Sequence, residues 1–188
     1  MNLFQKNLEE HIQLMNKLTL IEDKVYESIN VLTNSLQNGR KIIFCGNGGS
    51  AADSQHLAAE FTGRFIKDRA PISAISLTTD TSALTCISND YDFTHIFSRQ
   101  LQAIGHEGDC LIVISTSGNS PNLIRAVEVA KQNKIVTIGL LGKSGGNLLN
   151  ICDYSILVPH DITARIQEAH ILIGHTICGA IETNLGLV

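Results

Sequence analysis

A parallel β-sheet covered by helices on both faces is the fold class this chain predicts, and three features carry the prediction. Beyond residue 40, short runs rich in β-branched residues alternate with stretches of helical period, the pattern of strand, crossover helix and parallel strand. Two loops, CGNGGSAAD from Cys45 and ISTSGNSPN from Ile114, each follow a predicted strand and open a predicted helix. With 188 residues, 44% of them hydrophobic, the chain can bury about two thirds of its unfolded surface in one core, so a single domain over residues 1–188 is expected.

Leu3, Leu8, Ile12 and Met15, then Val25, Ile29, Leu32 and Leu36, recur at three- and four-residue spacing, which predicts helices over 3–17 and 22–37. Gly39 stops the second. Five strands are expected at 41–45, 72–77, 110–115, 135–140 and 154–158, giving a three-layer, doubly wound parallel sheet. Helices are expected at 50–62, 81–88, 93–104 and 121–133, and Pro121 suits a first helical turn because its missing N–H has no intrahelical partner there. A long last helix spans 163–185. Its stretch AHILIGHTICGAI, Ala169 to Ile181, carries no Asp, Glu, Lys or Arg. A helix apolar all round must be covered all round, so burial against another subunit is expected, with burial inside the chain as the alternative.

Composition narrows the partners. The net charge is -4 and no basic run offers a footprint for a nucleic-acid backbone, so no nucleic-acid ligand is expected. The five cysteines, at 45, 86, 110, 152 and 178, show neither C-x-x-C nor zinc-finger spacing. Most sit in apolar runs and read as buried, reduced thiols, which suits a reducing compartment. The opening MNLFQKNLEEHIQ lacks the order of a signal peptide, and no uncharged stretch reaches the ~18 residues of a membrane span. A soluble, cytoplasmic protein without a membrane partner is expected.

Gly46, Gly48 and Ala51 fit the dinucleotide fingerprint G-x-G-x-x-A, but that reading needs an acidic residue about 20 positions on. The candidate, Asp80, lies 32 residues past Gly48, so a nicotinamide cofactor is disfavoured. The second loop places Ser115, Thr116, Ser117 and Ser120 at a helix N-terminus, where hydroxyls, backbone N–H groups and the helix dipole suit one phosphate monoester. An N-cap and turn would use the same residue types. His56 and Glu60, four apart on the helix after the first loop, project from one face. That spacing fits an active pair and also an ordinary surface pair.

In this order, CGNGGSAADSQHLAAEFTGRF, LTTDTSALTCISNDYDF, STSGNSPN and RIQEAHILIGH resemble the sugar isomerase (SIS) domain family, from about residue 40 to the C-terminus. The H-x-x-x-E and RIQE-x-H-x-x-x-x-H stretches resemble its branch that interconverts seven-carbon ketose and aldose phosphates. The resemblance implies an SIS fold, with residues 1–38 packing on the domain and on other subunits, and isomerisation through an enediol. That would supply nucleotide-activated heptose for bacterial surface glycans. It implies Glu60 as base and His175 as acid, with Asn47, Gly48, Gly49, Ser50, Glu60 and Gln167 on the sugar. Asn89 and Asp90 would bind its hydroxyls, and Ser115, Thr116, Ser117 and Ser120 its phosphate. It also implies zinc held by His56, Glu60, Gln167 and His175, and a homotetramer with active sites near subunit interfaces.

A carboxylate bound to zinc loses basicity, so the two roles of Glu60 compete. Residues 167 and 175 would stand about 12 Å apart along an ideal helix and about 80° apart around it, which makes convergence on one ion difficult. His11, His95, His106, His160 and His170 read as structural or solvent-facing, with His170 near enough in sequence to support the site. The alternative within the family is a non-catalytic member that binds the replication initiator protein. Such a binder need not keep Glu60 and His175 together. A sugar-phosphate-sensing regulator would carry a DNA-binding module, for which the residues before the first strand leave little room.

Overall fold

Five strands, β1 (Ile42–Gly46), β2 (Ala74–Ser76), β3 (Cys110–Ser115), β4 (Val136–Leu141) and β5 (Tyr154–Leu157), pair in parallel in the order β2-β1-β3-β4-β5. The structure is a computed structural model that describes residues 2–188. Ile42 stands opposite Ala74 on one side and Cys110 on the other, and Cys110 stands opposite Val136.

Alternation along the strands builds the layers. Ile42 and Phe44 of β1, with Cys110, Ile112 and Ile114 of β3, face one core. That core is shared with α1 (Leu3–Lys17), α2 (Glu22–Gln37), α3 (Gly49–Thr62) and α8 (Thr163–Asn184). Ile43, Cys45, Leu111 and Val113 face the other core, under α4 (Thr81–Asp90), α5 (Ile96–Ile104), α6 (Pro121–Gln132) and α7 (Gly146–Ile151). All six residues of β3 are buried, the expected state of a strand covered on both faces.

Several boundaries differ from the sequence expectation. β2 is an edge strand of three residues, although Ile72 N–H still reaches Phe61 O (3.0 Å) and Leu77 N–H reaches Phe44 O (2.9 Å) beyond its ends. The helix expected at 93–104 divides into a 3-10 turn, Phe93–His95, capped by the Asp92 carboxylate, and then α5. α7 went unpredicted because six residues are too few to display a period, and Gly145 before it and Gly146 at its start (φ 77° and 52°) read like a loop.

α8 corrects the argument that its apolar composition demands a second subunit. Ile166, Ala169, Ile173, Ile177 and Ile181 are buried within the chain, because α1, α2 and α3 pack across it. Only its Leu172 and Thr176 edge stays exposed along the central turns. Among the described residues no helix is long and apolar enough to cross a membrane. Cys45, Cys110 and Cys178 are buried free thiols, Cys152 is partly covered and Cys86 is exposed.

Candidate active site

The chain leaves β1 toward β2 on one side and β3 toward β4 on the other, so the strand order reverses between β1 and β3. Open parallel sheets bind ligands at the carboxyl ends of the strands flanking such a reversal. There Asn47, Ser50, Ser115, Thr116, Ser117, Ser120, Thr163 and Gln167 line a cavity of about 170 Å³. Reciprocal amide bonds of 3.0 and 2.9 Å between Asn47 and Asn122 tie the loop after β1 to α6. Ser115 Oγ accepts the Gly118 N–H at 3.0 Å and shapes the second loop. Gly48, at φ 57° and ψ -122°, takes a turn that a Cβ would oppose. α3, α6 and α8 all begin at this cavity, so the positive ends of three helices meet among hydroxyls, an arrangement that stabilises an anion.

α3 and α8 run side by side in the same direction. Gly49 packs against Gln167, Leu57 against Gly174, and Phe65, just past α3, against Gly179. Two turns from the cavity, His56 Nε2 lies 3.0 Å from Glu60 Oε1 and 3.1 Å from His175 Nε2. The Phe65 ring covers one side of His175, with centroids 5.3 Å apart. One donor atom from each of His56, Glu60 and His175 falls within 4.8 Å of the others. Tetrahedral zinc, with bonds of about 2.0–2.1 Å, sets its ligand atoms roughly 3.3 Å from one another, so this donor set fits such an ion in chemistry and in spacing. The His56 side chain is 48% exposed and that of Glu60 24%, so within one chain the cluster is open to water.

Residues 8–142 match the family model described as the SIS domain. The phosphoheptose isomerase of Campylobacter jejuni (strain 81116) is 49% identical over 96% of this chain and 97% of its own length. That of Aneurinibacillus thermoaerophilus is 54% identical over 88% of this chain and 81% of its own. The solved phosphoheptose isomerase of Neisseria gonorrhoeae superposes with a TM-score of 0.91 at 43% identity, covering 96% of this chain and 97% of that one.

The chain belongs to the phosphoheptose isomerase family of SIS-domain proteins.

Within that phosphoheptose isomerase frame, the candidate residues form two groups. Asn47, Ser50, Ser115, Thr116, Ser117, Ser120 and Gln167 meet at the cavity, with Gly48 and Gly49 joining Asn47 to Ser50 and Gly49 beside Gln167, while His56, Glu60 and His175 meet two turns along the helices. Gln167 stays with the cavity and out of the His–Glu–His cluster, because eight residues of α8 carry it about 12 Å from His175. Asn89 and Asp90 stand apart from that cavity within one chain: they close the exposed end of α4, with Asn89 Nδ2 donating to Asp90 Oδ1 at 2.9 Å. That bond, with a second from Cys86 Sγ at 3.4 Å, holds the Asp90 carboxyl below its usual range.

His170 is fully buried and its Nε2 bonds Leu141 O at 3.0 Å, which makes it a link between α8 and β4. His11 pairs with Glu168 at 2.8 Å, joining α1 to α8. Sequence reasoning passed over Thr163, at the start of α8, and Asp53, which shares a face of α3 with His56 and Glu60 by i, i+3, i+7 spacing. One Asp53 carboxylate oxygen is buried without a partner; burial raises its pKa and nearby His56 lowers it. The heptad-like spacing was the available signal.

Proposed function

We propose that this chain isomerises sedoheptulose 7-phosphate to D-glycero-D-manno-heptose 7-phosphate through an enediol. One observation carries the reading: an anion-binding cavity and a His–Glu–His cluster stand on the same two helices, α3 and α8, separated along their length. A ligand held at one end by its phosphate and extended along the helices brings its other end to Glu60. Ser115, Thr116, Ser117 and Ser120 take the phosphate, with Asn47, Gly48, Gly49, Ser50 and Gln167 along the sugar.

Glu60 removes a proton from C1, the electron pair forms the C1–C2 double bond, and His175 delivers a proton to O2. The enediol then loses the O1 proton to His175, C1 becomes the aldehyde, and Glu60 returns its proton to C2. Atoms and charge balance, and each group ends as it began. His56, Glu60 and His175 are proposed to hold zinc, which when bound supplies a positive charge beside the substrate oxygens.

Within one chain the cluster is open to water, so a neighbouring subunit is proposed to close the site within a homotetramer. An apolar groove formed by Leu18, Val25, Tyr26, Leu172 and Ile173 beside α8, and the exposed Leu3, Phe4, Leu8 and Ile12 of α1, support that assembly. The non-catalytic alternative is not favoured, because Glu60 and His175 stand together.

The test is incubation with sedoheptulose 7-phosphate and analysis of the product, before and after chelation and with zinc restored. Glu60→Gln should lower kcat by about 10²–10⁴-fold while sugar-phosphate binding, measured calorimetrically, persists. Parental turnover in that variant removes Glu60 from the role of base.

A further inference from the structure

Arg69 and Glu182 form an ion pair whose side chains are 1% and 2% exposed, with Nε and Oε1 2.7 Å apart. Desolvation offsets most of the attraction in such a pair, so stability alone is a poor account of it. Its other bonds point elsewhere. Arg69 Nη2 donates to Glu60 O at 2.7 Å, and Nη1 donates to Phe61 O at 2.7 Å and Gly63 O at 3.0 Å. Glu60 and Phe61 lie in the last turn of α3 and Gly63 just follows it, where helix carbonyls lack intrahelical donors and the dipole favours a cation. Glu182 Oε1 also accepts the Phe65 N–H at 3.2 Å. Phe65 is the residue whose ring packs on His175, and Glu182 follows His175 by seven residues on the same side of α8.

We propose that Arg69 and Glu182 are positioning residues for the isomerisation. Arg69 fixes the end of α3 that carries Glu60, and Glu182 fixes Phe65 and through it the His175 imidazole. Both members of the proton-transferring pair are thus set from one buried clasp that touches no substrate. The inference rests on the catalytic reading of Glu60 and His175 given above.

Arg69→Lys keeps the charge but loses the planar fork that reaches the α3 carbonyls. Glu182→Gln keeps an acceptor for Phe65 but removes the charge. Asp109→Asn serves as the comparison, since it breaks another pair with a buried carboxylate, Lys41 Nζ to Asp109 Oδ2 at 2.6 Å, away from the site. In the full-length enzyme, with folding checked by circular dichroism and thermal melts, Arg69→Lys and Glu182→Gln should lose about 10²-fold in kcat with KM for sedoheptulose 7-phosphate little changed. Asp109→Asn should lower the melting temperature and leave kcat intact. Phe65→Leu leaves the ion pair in place, so it decides the matter if the charge variants do not fold: kcat falls about tenfold, with recovery in Phe65→Tyr.

Parental kcat in a folded Arg69→Lys or Glu182→Gln, or in Phe65→Leu, overturns the proposal. So does an equal loss of kcat in Asp109→Asn, which would make the effect one of stability. Glu60→Gln, assayed in parallel, separates the two failures. If it is inactive while Arg69→Lys turns over normally, only the positioning role falls; if it stays active, the catalytic reading falls and the positioning role with it.

Discussion

Two histidines five residues apart on α8 show how position decides the chemistry of one side chain. Five residues turn a helix by about 140°, so His170 faces the sheet while His175 faces α3. Burial pushes the His170 pKa down to about 4, against the opposing pull of its bond to Leu141 O. An unfolded histidine titrates near 6.5, so between roughly 6.5 and 4 the unfolded chain takes up a proton that the folded chain refuses. Folding stability therefore falls as the pH drops through that window, by on the order of 3 kcal/mol when complete. Denaturant titrations at several pH values should show His170→Asn less stable at pH 7 but flatter below 6.5 than the parent; parallel curves would contradict the assignment. Nothing in the local pattern separates the two histidines. The resemblance singled out His175, and only the packing of α8 shows why His170 cannot share its role.

At the scale of elements, the site depends on how closely α3 and α8 approach. A Cβ on Gly174 would lie 2.6 Å from both terminal methyl carbons of Leu57, which is itself buried. Gly174→Ala therefore trades a gain of about 1 kcal/mol in helix propensity against overpacking that costs about 1–3 kcal/mol. The variant should unfold at lower denaturant than the parent and lose activity as His56 and His175 separate. A variant as stable and as active would show that the helices have room to spare. The 3.6-residue period of α2 and the short β-branched apolar run of β3 made those elements readable, because each signal sits inside its own segment. The His56 and Glu60 pair was readable for the same reason. Residues 167 and 175 were not, since which neighbour each one meets depends on the path of α3 beside α8. Asn89 and Asp90, at the exposed end of α4, were singled out by the resemblance alone, because in sequence that end looks like any polar turn.

For the molecule as a whole, the exposed apolar residues bear on assembly. Leu3 and Phe4 are each 73% exposed and Leu20 78%, on the side of the chain where α1 and α2 cross α8. Static light scattering at micromolar concentration should return the mass of four chains, and substitution of Leu8 and Ile12 by Glu should lower that mass and the activity together. A fully active monomer would remove the neighbouring subunit from the account of how water is excluded. The doubly wound sheet was legible from the alternation of strands and helices, whereas its crevice between β1 and β3 follows from strand order, which no local pattern states.

α8 supplies Gln167 and His175 and also seals the sheet face lined by Phe44 and Ile112. That face is built from β1 and β3, far before α8 in the chain, so covering it needs contacts of long sequence separation. Docking of α8 is therefore a late, slow event in folding, and the apolar sheet face stays wet until it happens.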